Sequence, residues 1–220
     1  MKSLNGVRAV LFDLDGTFAD TAPDLGRAIN RMRADKGLEP LPIAALRAHA
    51  SAGARGLLKA GFGLSPESEG YKELRERFLV LYEENLCVDT RLFDGIEALV
   101  AAMEARGVQW GIVTNKATRY TEPLLRLLGV DRAACVVCGD STPHVKPHPA
   151  PLLRAAEILA LPPAACLYVG DDLRDIQAAR AAGMRFVAAG WGYLGEGGDP
   201  ATWGADAVLP RPREIMDLLS

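Results

Sequence analysis

Residues 7–14 read VRAVLFDL, an almost unbroken apolar run that stops at the polar, glycine-containing Asp15-Gly16-Thr17. Such a strand has hardly any polar face to show water, so it belongs in the middle of a parallel sheet covered on both sides. Comparable runs recur at residues 108–114, 134–138, 166–169 and 185–189, with a weaker one at 207–209. Helical spacing fills the gaps. Ile96, Leu99, Val100 and Met103 precede Gly107; Leu124, Leu125 and Leu128 precede Gly129; Leu152, Leu153, Ala156 and Leu159 precede Pro162; Ile176, Ala179 and Ala182 precede Gly183. Strand and helix in strict alternation predict an α/β fold, a doubly wound, Rossmann-like parallel sheet.

One stretch interrupts the alternation. No strand is expected between Thr17 and about Arg91. Leu25, Ala28, Ile29 and Met32 predict a helix with Pro23 in its first turn and Gly37 beyond its end. Leu57 and Leu58 mark a second helix, and Leu74, Phe78, Leu81 and Tyr82 a third. The expected organisation is a sheet-based core from residues 1–17 and 91–220, with an all-helical insertion, 18–90, lying over it.

The remaining composition narrows the function classes. A net charge of −3 provides no broad basic field, so nucleic acid is not an expected partner. Asp13 and Asp15 break the opening apolar run, which therefore fits neither a signal peptide nor a membrane span; no membrane partner is expected, and the cytoplasm is the expected compartment. Oligomeric state is not readable from the pattern. Four cysteines in 220 residues make no disulfide framework. Cys135 and Cys138 flank two valines in a strand-like run, so they read as buried thiols, and Cys87 and Cys166 are isolated.

In open α/β sheets ligands bind beyond the carboxyl ends of the strands. Asp13 and Asp15 leave the first strand there. A turn at Gly16 is expected to bring them together in one site. Two close carboxylates need a neutralising cation, and a hard ion such as Mg²⁺ suits them. Thr114-Asn115, a hydroxyl and an amide able to bind an oxyanion, follows the next predicted core strand. Lys146 follows the third and can neutralise phosphate or carboxylate. Gly170-Asp171-Asp172 follows the fourth, with Asp175 one helical turn on. Taken singly, these are an Asp-Gly turn, a strand-end cap, a loop lysine and an acidic helix N-terminus. Taken together, they place phosphate and metal chemistry along one edge of one sheet.

These four segments, in this order, resemble the signature of the haloacid dehalogenase superfamily, and the helical insertion is similar to its C1-type cap. The resemblance spans essentially the whole chain and implies a Mg²⁺-dependent phosphatase that works through an aspartyl-phosphate. It implies that Asp13 is nucleophile and metal ligand. Asp15 then protonates the leaving alcohol, later activates water, and ligates the metal through its main-chain carbonyl. Thr114 and main-chain amides near Asp15 and Asn115 hold the phosphoryl oxygens, Lys146 balances charge, and Asp171 completes the metal shell. Asp172 and Asp175 support, through water or by fixing Lys146. Dehalogenating members lack an acid at the Asp15 position, so the resemblance points to phosphate esters. A phosphomutase, or a receiver-like protein that is phosphorylated without turnover, is the competing class; a receiver is far shorter and has no helical cap.

The partner expected is a small phosphorylated metabolite. Ser51, Gly53 and Arg55, between helices of the insertion, are candidates for its carboxylate, because a helix N-terminus and a guanidinium both suit that group. Residues 20–25 (DTAPDL) resemble the phosphoglycolate phosphatases. Residues 51–63 and 190–206 are similar to bacterial N-acetylmuramate 6-phosphate phosphatases. Both esters carry a carboxylate, and N-acetylmuramic acid 6-phosphate ranks first. Phe18-Ala19 stands where many relatives have Leu-Val or Leu-Leu, so the packing at the entrance to the insertion is expected to differ.

Overall fold

Each apolar run becomes a strand of one six-stranded sheet, within two residues of its expected bounds. A computed structural model describes residues 4–195 and 197–219. Residues 1–3 of the opening segment, and Glu196 within the 190–206 stretch, lie outside the described residues. In chain order the elements are β1 (Ala9–Phe12), β2 (Ala19–Asp20), α1 (Ala22–Ala34), α2 (Ile43–Ala50), α3 (Gly53–Phe62), α4 (Tyr71–Glu84) and β3 (Arg91–Leu92). They continue with α5 (Ile96–Ala105), β4 (Gln109–Val113), α6 (Thr118–Leu127), β5 (Cys135–Val137) and α7 (Ala150–Ile158). The last are β6 (Cys166–Gly170), α8 (Leu173–Ala182), β7 (Arg185–Ala189), β8 (Ala207–Leu209) and α9 (Ile215–Leu218).

The sheet order is β5-β4-β1-β6-β7-β8, with every pairing parallel. β1 is therefore central, as its composition requires, and all four of its residues are buried. Its side chains alternate between two cores. Val10 and Phe12 join a cluster with Leu99, Met103 and Leu124, from α5 and α6. Ala9 and Leu11 join another with Leu152, Ala156, Ile176 and Ala179, from α7 and α8. The result is helix, sheet, helix in three layers. Cys135, Cys138 and Cys166 are free and buried, as expected of core thiols. Burial pushes the Cys135 thiol up to about 12, which leaves it protonated and unreactive near neutrality. No helix among the described residues is long and apolar enough to cross a membrane.

The interruption between β1 and β4 differs from expectation in two respects. It contains four helices rather than three: α2 carries only two buried residues, Leu46 and Ala50, too few to print a period. It also contains strand. β2 and β3, two residues each, pair antiparallel with Ala19 opposite Leu92 and Asp20 opposite Arg91. They carry the chain into the helices and back. α1 packs against α2, α3 and α4. Phe18, beside this crossing, is fully buried, edge-on to Phe12 at 5.4 Å and stacked on Trp110 at 5.6 Å. A larger ring is thus accommodated by aromatic neighbours.

Candidate active site

Register brings the functional residues together. Phe12 pairs with Ile112 on one side and Val169 on the other. The residues just beyond those three, Asp13, Val113-Thr114 and Gly170-Asp171, therefore emerge side by side at the carboxyl edge. Lys146 reaches the same place from the loop after β5, across a cis Lys146–Pro147 bond. Its loop is fixed by Asn115, whose carboxamide accepts from the Lys146 main-chain N–H (2.9 Å) and donates to the Lys146 carbonyl (3.0 Å). The side chain expected to bind an oxyanion directly is thus engaged in holding the lysine. Thr114, 2 % exposed, accepts from the Lys116 N–H through Oγ1 and keeps its own hydroxyl hydrogen to donate.

The Lys146 ammonium is 3 % exposed and lies 2.8 Å from both Asp13 and Asp175. It also donates to the Val113 carbonyl (3.0 Å) and to the Tyr168 hydroxyl (2.7 Å). Burial works against its charge, but the two carboxylates outweigh it and hold its pKa above the usual lysine value. Asp175 thus fixes Lys146. Asp172, expected to share that work, does something else. It caps α8 by accepting from the Arg174 N–H, while its own N–H donates to Asp175. It also grips the Arg174 guanidinium at 2.8 and 2.9 Å. A Cβ on Gly170 would come within 2.4 Å of the Asp175 carboxylate, so only glycine lets this aspartate reach the lysine.

Asp171 is fully buried. Its donors are neutral: the Thr17 hydroxyl (2.8 Å), the Tyr193 N–H (2.8 Å) and the Ser51 hydroxyl (3.4 Å). Burial, reinforced by Asp13 and Asp175, holds its pKa well above the ordinary carboxylate value. Burial likewise pushes Asp13 up to about 6 against the pull of Lys146. Carboxylate oxygens of Asp13, Asp171 and Asp175 all lie within 4.8 Å of one another. Three acids sharing one lysine leave negative charge uncompensated, and hard oxygen donors in that condition fit a divalent cation. Asp13 and Asp171, with Lys146 between Asp13 and Asp175, would hold such an ion.

The carboxylate of Asp15 stands apart from this cluster. Gly16, at φ +86°, turns it aside, and a Cβ there would meet Asp171 at 2.4 Å. Lys116 reaches both Asp15 oxygens at 3.0 Å, and Thr21 donates to one at 2.5 Å. Of Asp15, only the main chain remains available to a metal held by Asp13 and Asp171. Burial opposes the charge on Lys116, yet Asp15 keeps its pKa above the usual value. The same ammonium sits 4.8 Å from the centre of the Tyr82 ring on α4. Neither Lys116 nor Arg174 was expected from the sequence. Lys116 directly follows Thr114-Asn115 at a strand end and was legible there; the guanidinium of Arg174 declares itself only through its fold partners.

These groups open into a cavity of about 490 Å³, roofed by the helical insertion. Ser51, Gly53 and Arg55, at the junction of α2 and α3, line it, with Phe78 and Tyr82 of α4 forming an apolar wall. Arg55 is exposed. Arg174 reaches from the core to the Ser51 carbonyl at 2.8 Å and so joins the two sides.

A family model described as haloacid dehalogenase-like hydrolase matches residues 7–183. The chain is 44% identical over 214 residues to an N-acetylmuramic acid 6-phosphate phosphatase of Pseudomonas aeruginosa, covering 97% of this chain and 95% of that one. It is 43% identical over 211 residues to a phosphoglycolate phosphatase of Xanthomonas campestris, covering 96% and 95%. Among solved structures, a predicted phosphoglycolate phosphatase from Haemophilus somnus superposes with a TM-score of 0.85 at 29% identity, covering 97% of this chain and 98% of that one.

Proposed function

Because the chain belongs to the haloacid dehalogenase-like hydrolase family and is a phosphatase, we propose that it hydrolyses a carboxylate-bearing sugar phosphate, N-acetylmuramic acid 6-phosphate, with Asp13 as nucleophile and Mg²⁺ as cofactor. The observation that carries the chemistry is the meeting of Asp13 with Lys146 and Asp171, Asp13 and Lys146 lining a roofed cavity and Asp171 buried behind them. The core, 1–17 and 91–220, supplies the reacting groups, and the insertion, 18–90, acts as the lid that selects the ester.

In the first step a carboxylate oxygen of Asp13 bonds to phosphorus while the bond from phosphorus to the ester oxygen breaks. The departing oxygen takes a proton from Asp15, leaving an acyl phosphate on Asp13 and a free alcohol. In the second step Asp15 accepts a proton from water as the water oxygen attacks phosphorus. The bond to Asp13 breaks, inorganic phosphate leaves, and the Asp13 carboxylate is restored. Lys146 holds Asp13 in line and offsets charge on the phosphoryl group, and the Thr114 hydroxyl donates to one of its oxygens. Asp13, Asp171 and the Asp15 carbonyl would hold Mg²⁺, which would supply further positive charge to the transferring oxygens.

Asp15→Asn is expected to lower kcat by about 10²–10⁴-fold, the usual worth of a positioned proton donor. Mg²⁺ affinity should change little, because the Asp15 carboxylate stands apart from the metal cluster. Steady-state kinetics beside a calorimetric Mg²⁺ titration check both halves.

The size of the cavity favours the sugar ester. About 490 Å³ lies within the range that encloses a drug-sized ligand, roughly 300–1,000 Å³, and a two-carbon acid leaves most of it empty. 2-Phosphoglycolate is the alternative named by the Xanthomonas relative. Mg²⁺-dependent phosphate release from the two esters, compared by kcat/KM, decides between them; a preference for phosphoglycolate overturns the sugar assignment. Arg55→Ala is expected to raise KM about tenfold for carboxylate-bearing esters, the worth of one charge-assisted hydrogen bond, and to spare p-nitrophenyl phosphate. Equal effects on both would remove Arg55 from recognition.

A further inference from the structure

The loop after β7 joins two parts of the molecule that the mechanism treats separately. Tyr193 in that loop is 6 % exposed. Its main-chain N–H donates to Asp171 Oδ2 at 2.8 Å. Its hydroxyl, at the other end of the same residue, accepts from the Ala22 N–H at the start of α1 (2.8 Å) and donates to Asp20 Oδ1 in β2 (2.8 Å). Asp20 is held in turn by Arg47 of α2 at 2.6 Å, and the Arg47 guanidinium lies 5.6 Å from the centre of the Tyr193 ring. The ring also meets Phe93, just past β3, at 6.2 Å. Both strands through which the chain enters and leaves the insertion are thus tied to one side chain.

The neighbouring residues strengthen the tie. The Trp191 indole donates to the Thr17 carbonyl at 2.9 Å, and the Thr17 hydroxyl donates to the second oxygen of Asp171 at 2.8 Å. Leu194 has φ +61°, a left-handed backbone that a leucine adopts only at a cost. Strain of that kind persists where the surroundings over-determine it, and it gathers at functional sites.

We propose that Tyr193 is a positioning residue that couples the seating of the helical insertion to the orientation of the metal ligand Asp171. The inference rests on the reading of Asp171 as a Mg²⁺ ligand. Donors that orient a ligating carboxylate govern metal affinity as well as the ligands themselves. Any rotation of the helices about β2 and β3 either breaks both hydroxyl bonds of Tyr193 or drags the loop whose N–H sets Asp171. The ligand is therefore held ready when the insertion is seated and released when it lifts.

The test is a calorimetric titration of Mg²⁺ into the full chain. Tyr193→Phe keeps the ring and the main-chain N–H and removes only a hydroxyl that touches neither Asp171 nor the metal. It is expected to weaken Mg²⁺ binding about tenfold. Asp20→Ala approaches the same link from the insertion side and is expected to do the same, and the double variant should be no worse than either single one. A purely structural tyrosine would lower the melting temperature and leave the Mg²⁺ affinity where it was; that result, or additive losses in the double variant, overturns the coupling. The wild-type titration and wild-type turnover of p-nitrophenyl phosphate separate the possible failures. Absence of Mg²⁺ binding would refute the metal reading, and absence of turnover the phosphatase reading. Equal Mg²⁺ affinity in wild type and variants refutes the coupling alone.

Discussion

Asp13→Asn abolishes phosphate release and makes the metal-free protein more stable. The amide has no anionic oxygen with which to attack phosphorus, and loss of a nucleophile from a site whose groups act together costs about 10⁴-fold or more in kcat. The gain in stability follows from the surroundings of the wild-type carboxyl. Burial raises the Asp13 pKa from the ordinary 3.8 to about 6, although Lys146 pulls it down. Between those values the folded protein binds more protons than the unfolded chain. Stability therefore falls as pH rises through that window, and at neutral pH the ionised Asp13 is a burden on the fold. Asparagine cannot ionise and lifts it. Without divalent metal, the variant should melt several degrees higher than wild type at pH 7, with the difference closing toward pH 4. Mg²⁺ should shrink the difference too, because it stabilises the wild type preferentially. A variant retaining wild-type turnover would refute the assignment of Asp13. An inactive variant that melts below wild type would refute the account of its electrostatics.

Lys146→Met should have the largest effect on folding. The ammonium is nearly enclosed and serves Asp13, Asp175, Tyr168 and the Val113 carbonyl together. Methionine fills similar space but leaves two acids facing each other with no cation, beside an Asp171 whose donors are all neutral. Removing one partner of a buried pair costs about 3–5 kcal/mol, because the abandoned charge remains in low dielectric. The wild-type contribution is not a neutral-pH titration. The lysine pKa is raised in the folded state, so its stabilisation is complete below the ordinary lysine value and is lost only as pH climbs through the folded one. Urea denaturation at pH 7 should therefore register the full loss. Mg²⁺ should restore part of it by neutralising the same carboxylates, while kcat stays about 10²–10³-fold down, since the metal cannot replace the lysine beside the phosphoryl group. A variant as stable as wild type would show that Lys146 does not hold the acids together.

The sheet was readable because its strands are buried on both faces. β1, β4, β6 and β7 print as apolar runs, and the glycines that end α5, α6 and α8 stand where expected. Pairing register then makes the ends of β1, β4 and β6 coincide, which is why Asp13, Thr114 and Asp171 could be grouped from spacing alone. Other features left no periodic trace. β2 and β3 are two residues long, and α2 buries only two side chains. Partnerships across long separations were equally silent. Asp15 and Lys116 are 101 residues apart, and Tyr193 and Asp20 173. An unmatched lysine or tyrosine in a loop looks the same whether it ends in water or in an ion pair. Asp172 and Asp175 illustrate the limit at short range: both were legible as acids at a strand end, but the division of labour between a helix cap and a lysine anchor is set by the turn of α8.

The antiparallel pair β2–β3 has one more consequence. It releases the chain from the core and takes it back at touching positions, Ala19 beside Leu92. The helices between those two points can be lengthened, shortened or exchanged without moving either end, provided that the bonds of Asp20, Thr21 and Ser51 to Tyr193, Asp15 and Asp171 are kept. An arrangement of that kind lets new diets evolve on unchanged chemistry, because the segment proposed to choose the meal is grafted on at a single seam.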